Sequence, residues 1–217
     1  MALPFFYINT YTDEQKLITL DEDTSRHVVQ VLRMKKGEQL HLTEGLGHLL
    51  LAEISDDHKK HCTVAIKEVT YTAPAERKVT IAISNIKNAS RFEWFLEKAG
   101  EVGIAEIIPL VCERTEKEKF RYDRMNAICI SAMLQSQQVW LPQLKEPQPF
   151  NQVLKQTAAA AKYIAHCEDG PKNPLSEQPS ADTSVILIGP EGDFTPGEIE
   201  EAIQQGFIDV YKRQLLR

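Results

Sequence analysis

The sequence predicts a two-domain α+β protein, a small β-barrel carrying one helix followed by an α/β domain on a largely parallel sheet. Three observations predict it. Residues 1–72 hold short apolar runs repeatedly interrupted by turn residues. Beyond them, continuous apolar runs alternate with segments of helical periodicity. Between the two lies YTAPAERK (71–78), a polar stretch around Pro74 where the rhythm changes, so the domains are drawn at 1–72 and 73–217.

In the first domain the expected strands are Leu3–Ile8, Gln39–Thr43, Leu49–Ile54 and Cys62–Val69. Gly45 and Gly47 flank a hairpin turn, and Asp56-Asp57-His58-Lys59-Lys60 forms another. Asp23 and Thr24 are placed to cap a short helix through Val28, Val29, Val31 and Leu32, with Gly37 soon after its end.

In the second domain Lys78–Ser84 (KVTIAIS) reads as a strand covered on both faces. Ser90-x-x-Glu93 has capping-box spacing and opens a helix whose apolar side carries Phe92, Phe95, Leu96, Ala99 and Val102. A strand over Ile104–Val111 and a helix over Tyr122–Gln135 follow, then a loop marked by Pro142, Pro147 and Pro149. A short helix (Phe150–Gln156), a strand (Lys162–Cys167) and a Pro/Ser-rich loop (Gly170–Thr183) lead to a last strand, Ser184–Ile188. Thr195-Pro196-Gly197-Glu198 combines a cap, an N1 proline and a second capping box before a helix that ends at Gly206.

Composition narrows the class. With 217 residues, 42% of them hydrophobic, the chain can bury an ordinary core, and no apolar run is long enough to span a membrane. The N-terminus MALPFFYINTYTDEQ lacks the layout of a secretory signal, so a soluble, cytoplasmic protein is expected. Cys62, Cys112, Cys129 and Cys167 are widely spaced without a C-x-x-C, which points to buried reduced thiols and to neither zinc nor disulfides. The net charge of −6 is unevenly spread: residues 168–209 sum to −9, the last eight residues to +3 and residues 1–167 to zero, so local basic groups such as Arg26, Arg33, Lys35 and Lys36 leave a polyanionic partner neither supported nor excluded.

The sharpest local feature is Ile188-Gly189-Pro190-Glu191-Gly192-Asp193-Phe194, a bend from a buried strand into a well-capped helix. Ligands of open α/β sheets gather beyond the carboxyl ends of strands, and the two glycines allow close approach and unusual dihedrals. A phosphate loop is excluded, since no Gly-Lys-Ser/Thr follows and Glu191 and Asp193 would repel an anion. From chemistry alone a tight turn with an acidic cap explains the bend equally well.

The run LIGPEGDFTPGEIEEAIQQGF (187–207) resembles the signature block of the RsmE-type methyltransferases of the SPOUT superfamily. HVVQVLRMKKGE (27–38), EKAGEVGIAEIIPL (97–110), CERTE (112–116) and AMLQSQQVWLP (132–142) resemble further pieces of the family in the right order. The resemblance implies a PUA-like RNA-binding β-barrel and a SPOUT domain that binds S-adenosylmethionine in a trefoil knot and works as a homodimer. It implies methylation of N3 of a uridine in 16S ribosomal RNA or the small subunit, without a metal. Carried onto this chain, Leu187, Ile188, Gly189, Pro190, Glu191, Gly192 and Cys167 would line the cofactor pocket. Arg114, Gln135 and Ser136 would serve the active site, and Arg26, His27, Arg33, Lys35 and Arg114 would contact RNA.

Blander roles compete: an ion pair of Arg114 with Glu113 or Glu118, a polar helix end at Gln135 and Ser136, and a solvated helix face for the barrel cations. Lys98 and Glu101 are spaced as a helix pair, and Trp94 and Trp140, which could stack on bases, are read as core. The target uracil should be unpaired, and its N3 proton needs an acceptor that the sequence does not name.

Two departures qualify the resemblance. Gln138 stands where many relatives carry a basic residue. After Phe207 the family continues with a strand, a Leu-Gly loop, an Arg-Leu-Arg-Thr-Glu-Thr-Ala-like block and a helix, whereas this chain reads IDVYKRQLLR. An incomplete knot and weak donor binding are therefore expected, and the alternatives are an RNA-binding protein without catalysis or a SPOUT enzyme acting on another RNA.

Overall fold

A computed structural model describes residues 3–116, 119–170 and 172–211, which fall into two compact units. The first comprises Met1–Pro74 together with Met133–Leu141, and the second Ala75–Ala132 with Pro142–Arg217. The segment Met133–Leu141 thus belongs with the N-terminal strands, a grouping that sequence order does not reveal.

The first unit is a five-stranded mixed sheet forming an open half-barrel. Its strands are β1 (Phe5–Tyr7), β2 (Leu17–Thr19), β3 (Gln39–Thr43), β4 (His48–Asp56) and β5 (Thr63–Tyr71), in the order β1-β3-β4-β5-β2. β1 runs parallel to β3, and the other pairs are antiparallel. Leu40, Leu42, Leu50, Ala52, Ile54 and Val64 alternate inward and are completely buried, the pattern of a sheet with one wet face.

Helix α1 (Glu22–Arg26) is capped by Asp21, whose carboxylate accepts from Thr24 N at 2.8 Å. The cap thus lies two residues before the expected Asp23. That placement lets Ser25 be fully buried, donating to Leu20 O (3.1 Å) and accepting from Cys62 N (3.0 Å). The chain continues as one wide helical turn over His27–Val31, closed by Leu32 N donating to His27 O, and Arg33 at φ 58° turns it away. Only Val28 of the expected apolar face is fully buried; Val31 and Leu32 face solvent, because the turn widens and stops before the face can repeat.

The second unit is an all-parallel sheet. Its strands are β6 (Lys78–Ser84), β7 (Glu106–Val111), β8 (Gln143–Leu144), β9 (Gln148–Pro149), β10 (Ala161–His166), β11 (Thr183–Ile188) and β12 (Ile208–Tyr211). The order is β12-β10-β11-β6-β7-β8, with β9 also pairing β7. Helices α2 (Ala89–Glu101), α3 (Tyr122–Gln135), α4 (Phe150–Gln156) and α5 (Pro196–Gln204) connect them. Ile107, Leu110, Ile164, Val185 and Leu187 are buried, as a sheet with helical cover on its faces demands.

Several expectations change here. α2 is capped by Asn88, which accepts from Ser90 N, so Ser90 lies inside the helix and Glu93 instead clamps Arg124 at 2.6 and 3.0 Å. Trp94 is 63% exposed, and Val102 faces solvent beyond the helix end, because the buried stripe of α2 is Phe92, Leu96, Ala99 and Gly100. Lys98 does pair with Glu101 at 2.8 Å. Residues 208–211, which follow the point where the chain leaves the family pattern, pair with β10 as β12; residues 212–217 lie outside the described residues. Among the described residues no helix is long and apolar enough to cross a membrane.

Candidate active site

The strand registers bring several chain ends to one level. Ile188 of β11 lies opposite Ile83 of β6 and Ala165 of β10, and His166 lies opposite Tyr211 of β12. The residues that follow, Asn85, Gly189, Pro190 and Cys167, therefore collect along the carboxyl edge of the sheet, the edge at which open α/β proteins hold ligands.

The bend from Ile188 to Phe194 is tightly tied. Phe194 is completely buried and meets the Phe150 ring at 5.4 Å. Asp193 N donates to Pro190 O (3.0 Å), closing a turn in which Asp193 adopts φ 60°. The unusual dihedral falls on this aspartate, whereas neither Gly189 nor Gly192 takes a positive φ. Gly189 is required for closeness: a Cβ there would lie 3.0–3.1 Å from the Phe194 ring and backbone N. The Asp193 carboxylate accepts from Cys167 N (2.6 Å) and Phe194 N (3.0 Å), so one side chain joins β10 to the bend.

A second set of ties comes from β7. Arg114 Nη1 donates to Gly192 O at 2.8 Å and reaches Phe194 O at 3.5 Å. Glu113 contributes its backbone N, which donates to Glu198 Oε1 at 2.8 Å. The competing ion-pair role of Arg114 is thus replaced, as regards Glu113, by a clamp on the bend; Glu118 lies outside the described residues. Glu198 also completes the expected capping box with Thr195, and Pro196 occupies the first turn of α5. Thr115 links the ends of two strands, bonding Ser84 Oγ at 2.7 Å and accepting from Cys112 N at 2.8 Å.

Beside the bend, a cleft of ≈ 230 Å³ is lined by His166, Cys167, Glu168, Asp169, Gly170, Lys172 and Tyr211. Cys167 is exposed there, against the expectation of burial, because it stands one residue past the end of β10. Cys62, Cys112 and Cys129 are buried. Burial, with Asp56 and Asp57 nearby, pushes the Cys62 thiol up to about 11, and burial raises Cys129 to about 11. Lys172 Nζ donates to His166 O (2.6 Å) and lies 3.1 Å from His166 Nδ1; His166 Nε2 and Asp209 Oδ1 face each other at 3.0 Å without a well-aligned hydrogen bond.

Sequence reasoning missed two groups at this edge. The buried amide oxygen of Asn85 has no hydrogen-bond partner among the described residues, a costly state for an acceptor at this edge. The His166–Lys172 pair is the other; its only sequence signal was its position after an apolar strand.

Gln135 and Ser136 fall at the end of α3, where the chain passes from the second unit into the first, and Ser136 Oγ donates to Met133 O (3.2 Å). Trp140 belongs to the first unit too, half-buried, its Nε1 donating to Thr72 O at 3.0 Å. Arg26, His27, Arg33, Lys35 and Lys36 are all exposed. Arg26 pairs with Glu22 (2.9 Å), Lys35 lies 3.6 Å from Asp57, and His27 meets Phe6 edge-on at 5.8 Å.

Comparison with known proteins decides the family. Residues 73–212 match the RNA methyltransferase domain, and residues 20–67 the RNA methyltransferase PUA domain. This chain belongs to the RNA methyltransferase family. The first unit is its PUA-like domain, and the second is its α/β methyltransferase domain with a parallel sheet. Among solved RNA methyltransferases, a probable rRNA-methyltransferase from Porphyromonas gingivalis is 34% identical, with a TM-score of 0.90 over 99% of this chain and 92% of that one. A ribosomal RNA small subunit methyltransferase E from Neisseria gonorrhoeae bound to S-adenosyl methionine is 25% identical, with a TM-score of 0.86 over 99% and 91% of the two chains. The ribosomal RNA small subunit methyltransferase E of Rickettsia conorii is 29% identical over 197 residues, 89% of this chain and 80% of that protein.

Proposed function

We propose that this chain transfers the methyl group of S-adenosylmethionine to N3 of a uridine in the 16S ribosomal RNA of the small subunit, residues 1–72 docking RNA and 73–217 performing the transfer. The observation that carries this reading is the acidic, multiply tied bend at the carboxyl edge of a parallel sheet, beside a cleft, in a chain of the RNA methyltransferase family. The relative bound to S-adenosyl methionine supports the choice of donor.

The residues present fit such a donor. Glu168, Asp169, Glu191 and Asp193 give the edge a negative potential, which suits a sulfonium and disfavours a polyphosphate. Ile188, Gly189, Pro190, Glu191 and Gly192 would hold it from the bend, and Cys167 from the end of β10, whereas Leu187, expected beside them, is completely buried in the core within β11 and supports the bend from below. When bound, the donor supplies a methyl group already activated on sulfur. The chain then has to align the target nitrogen and exclude water, which calls for rigid elements. Arg114 suits that role, since one guanidinium nitrogen holds the bend while the remaining donors of the fork would meet RNA phosphate or the target base. β12 is formed and its Tyr211 lines the cleft, which supports donor binding by this chain despite its departure from the family pattern after Phe207.

Arg26, His27, Arg33 and Lys35 are assigned to sequence-independent contact with RNA phosphates in the cytoplasm, where ribosomes assemble. A homodimer is part of the same reading, and the exposed apolar side chains Trp94, Val102 and Ile203 of the second unit are what its interface would cover. The test is methyl transfer from labelled donor to small subunits lacking the modification, read by mass spectrometry of nucleosides. 3-Methyluridine is expected; another methylated nucleoside, or none with donor bound, would overturn the assignment.

A further inference from the structure

The first unit holds a second constellation, of one carboxylate and several rings. Glu44, at the tip between β3 and β4, is only 5% exposed. One of its carboxylate oxygens lies 2.6 Å from His48 Nδ1, while the other, Oε2, is buried with no hydrogen-bond partner among the described residues. A buried acceptor left unpaired is costly, more so when charged, so the site is incomplete as it stands.

Around this carboxylate runs a row of rings. Tyr11 meets His48 at 5.3 Å between centroids, His48 meets Tyr71 at 5.0 Å, and Tyr71 meets Trp140 at 6.3 Å. Gly47 makes the row possible, since a Cβ there would lie 2.7–2.8 Å from Tyr71, Thr72 O and Trp140. Tyr71 is 56% exposed and forms the outer wall, with Leu46 protruding beside it at the tip. The phenol of Tyr7 is raised by burial and then by the negative charge of Glu44, and that of Tyr11 by burial, then by Asp13 and then by Glu44.

We propose that Glu44, His48, Tyr11, Tyr71 and Trp140 form a pocket for one unpaired guanine of the RNA, separate from the uridine that is methylated. Aromatic faces stack on any base, so they supply affinity and no choice. The carboxylate supplies the choice. Guanine alone presents two adjacent donors, N1–H and N2–H, on its pairing edge; adenine and cytosine set an acceptor beside their amino group, and uracil flanks N3–H with two carbonyls that a carboxylate repels. In the proposed complex the exposed Tyr71 side chain swings out to admit the base to Oε2, and its ring then stacks on the outer face of the base. The proposal rests on the reading that the first unit docks RNA.

The experiment compares binding of the whole chain to oligouridines carrying one central guanosine, inosine or adenosine, followed by fluorescence anisotropy at several salt concentrations. Inosine keeps N1–H and lacks the N2 amine, so guanosine should bind roughly tenfold tighter than either substitute. Glu44→Gln, nearly isosteric, should abolish that preference and leave the salt dependence unchanged. Tyr71→Leu, at an exposed side chain, should weaken the guanosine oligomer roughly tenfold, and it keeps the test decisive should Glu44→Gln unfold. Equal binding of the three oligomers by the unmodified chain, or a guanosine preference that survives in Glu44→Gln, overturns the pocket alone. Failure to bind any oligomer at low salt overturns the RNA-docking reading and the pocket with it.

Discussion

Replacing Asp193 separates the two things it does. Its backbone sits at φ 60°, and its carboxylate receives Cys167 N at 2.6 Å and Phe194 N at 3.0 Å. Hydrogen bonds to a charged group contribute about 1.5–3 kcal/mol each, and for a half-exposed residue roughly half of that is retained. The left-handed conformation adds a cost of about 1 kcal/mol for an ordinary side chain, whereas Asn and Gly adopt it readily. Asp193→Ala should therefore lose about 2.5–4 kcal/mol, and Asp193→Gly about 1 kcal/mol less, because it loses the anchors without the strain. Asp193→Asn, which keeps one acceptor, should lose about 1–1.5 kcal/mol. Urea unfolding gives the stabilities, and calorimetry with S-adenosylmethionine should show donor affinity falling in the same order. Should Asp193→Ala match Asp193→Asn in both measurements, the carboxylate is not what ties β10 to the bend.

Three further outcomes follow from the same geometry. Gly189→Ala forces a Cβ to within 3.0–3.1 Å of buried Phe194, so thermal unfolding should report a loss of about 1–3 kcal/mol together with weakened donor binding. At pH 8 iodoacetamide should label Cys167 quickly, with S-adenosylmethionine protecting it, while Cys62 and Cys129 resist; because burial raises these two thiols from the usual 9.0 to about 11, their contribution to stability is intact below pH 9 and declines as pH rises toward 11. Arg33→Ala and Lys35→Ala should each lower RNA affinity about equally for all sequences and reduce the salt slope by about one, seen by anisotropy titration.

Legibility in the sequence followed the strength of local signals. Helices over Tyr122–Gln135 and Phe150–Gln156 and the strand Lys78–Ser84 were read at their observed limits, since turn residues or polar caps bracket each run. The cap at Thr195 was legible because a hydroxyl, an N1 proline and a glutamate three residues on all agree. β2 was not, for Ile18 alone of its three residues is buried and its pairing with β5 is set by tertiary structure. β8 and β9 are two residues each in a proline-rich stretch, where pattern says loop and only the neighbouring β7 makes strands. At α2, Asn88 and Ser90 both offer capping groups, and the path of the incoming chain, absent from the sequence, selects Asn88. In the site the bend was readable from its glycines, but its left-handed residue is Asp193, and the partners of Arg114 and Asn85 depend on strand register.

Hydrogen exchange with and without S-adenosylmethionine tests the donor site most directly. Saturating donor should slow exchange of the amides of residues 188–194 and 167–170, at the bend and the adjoining cleft, with the strands of the first unit unchanged. Unaltered exchange at the bend, or protection confined to other segments while calorimetry shows the donor bound, would place the site elsewhere and contradict the assignment.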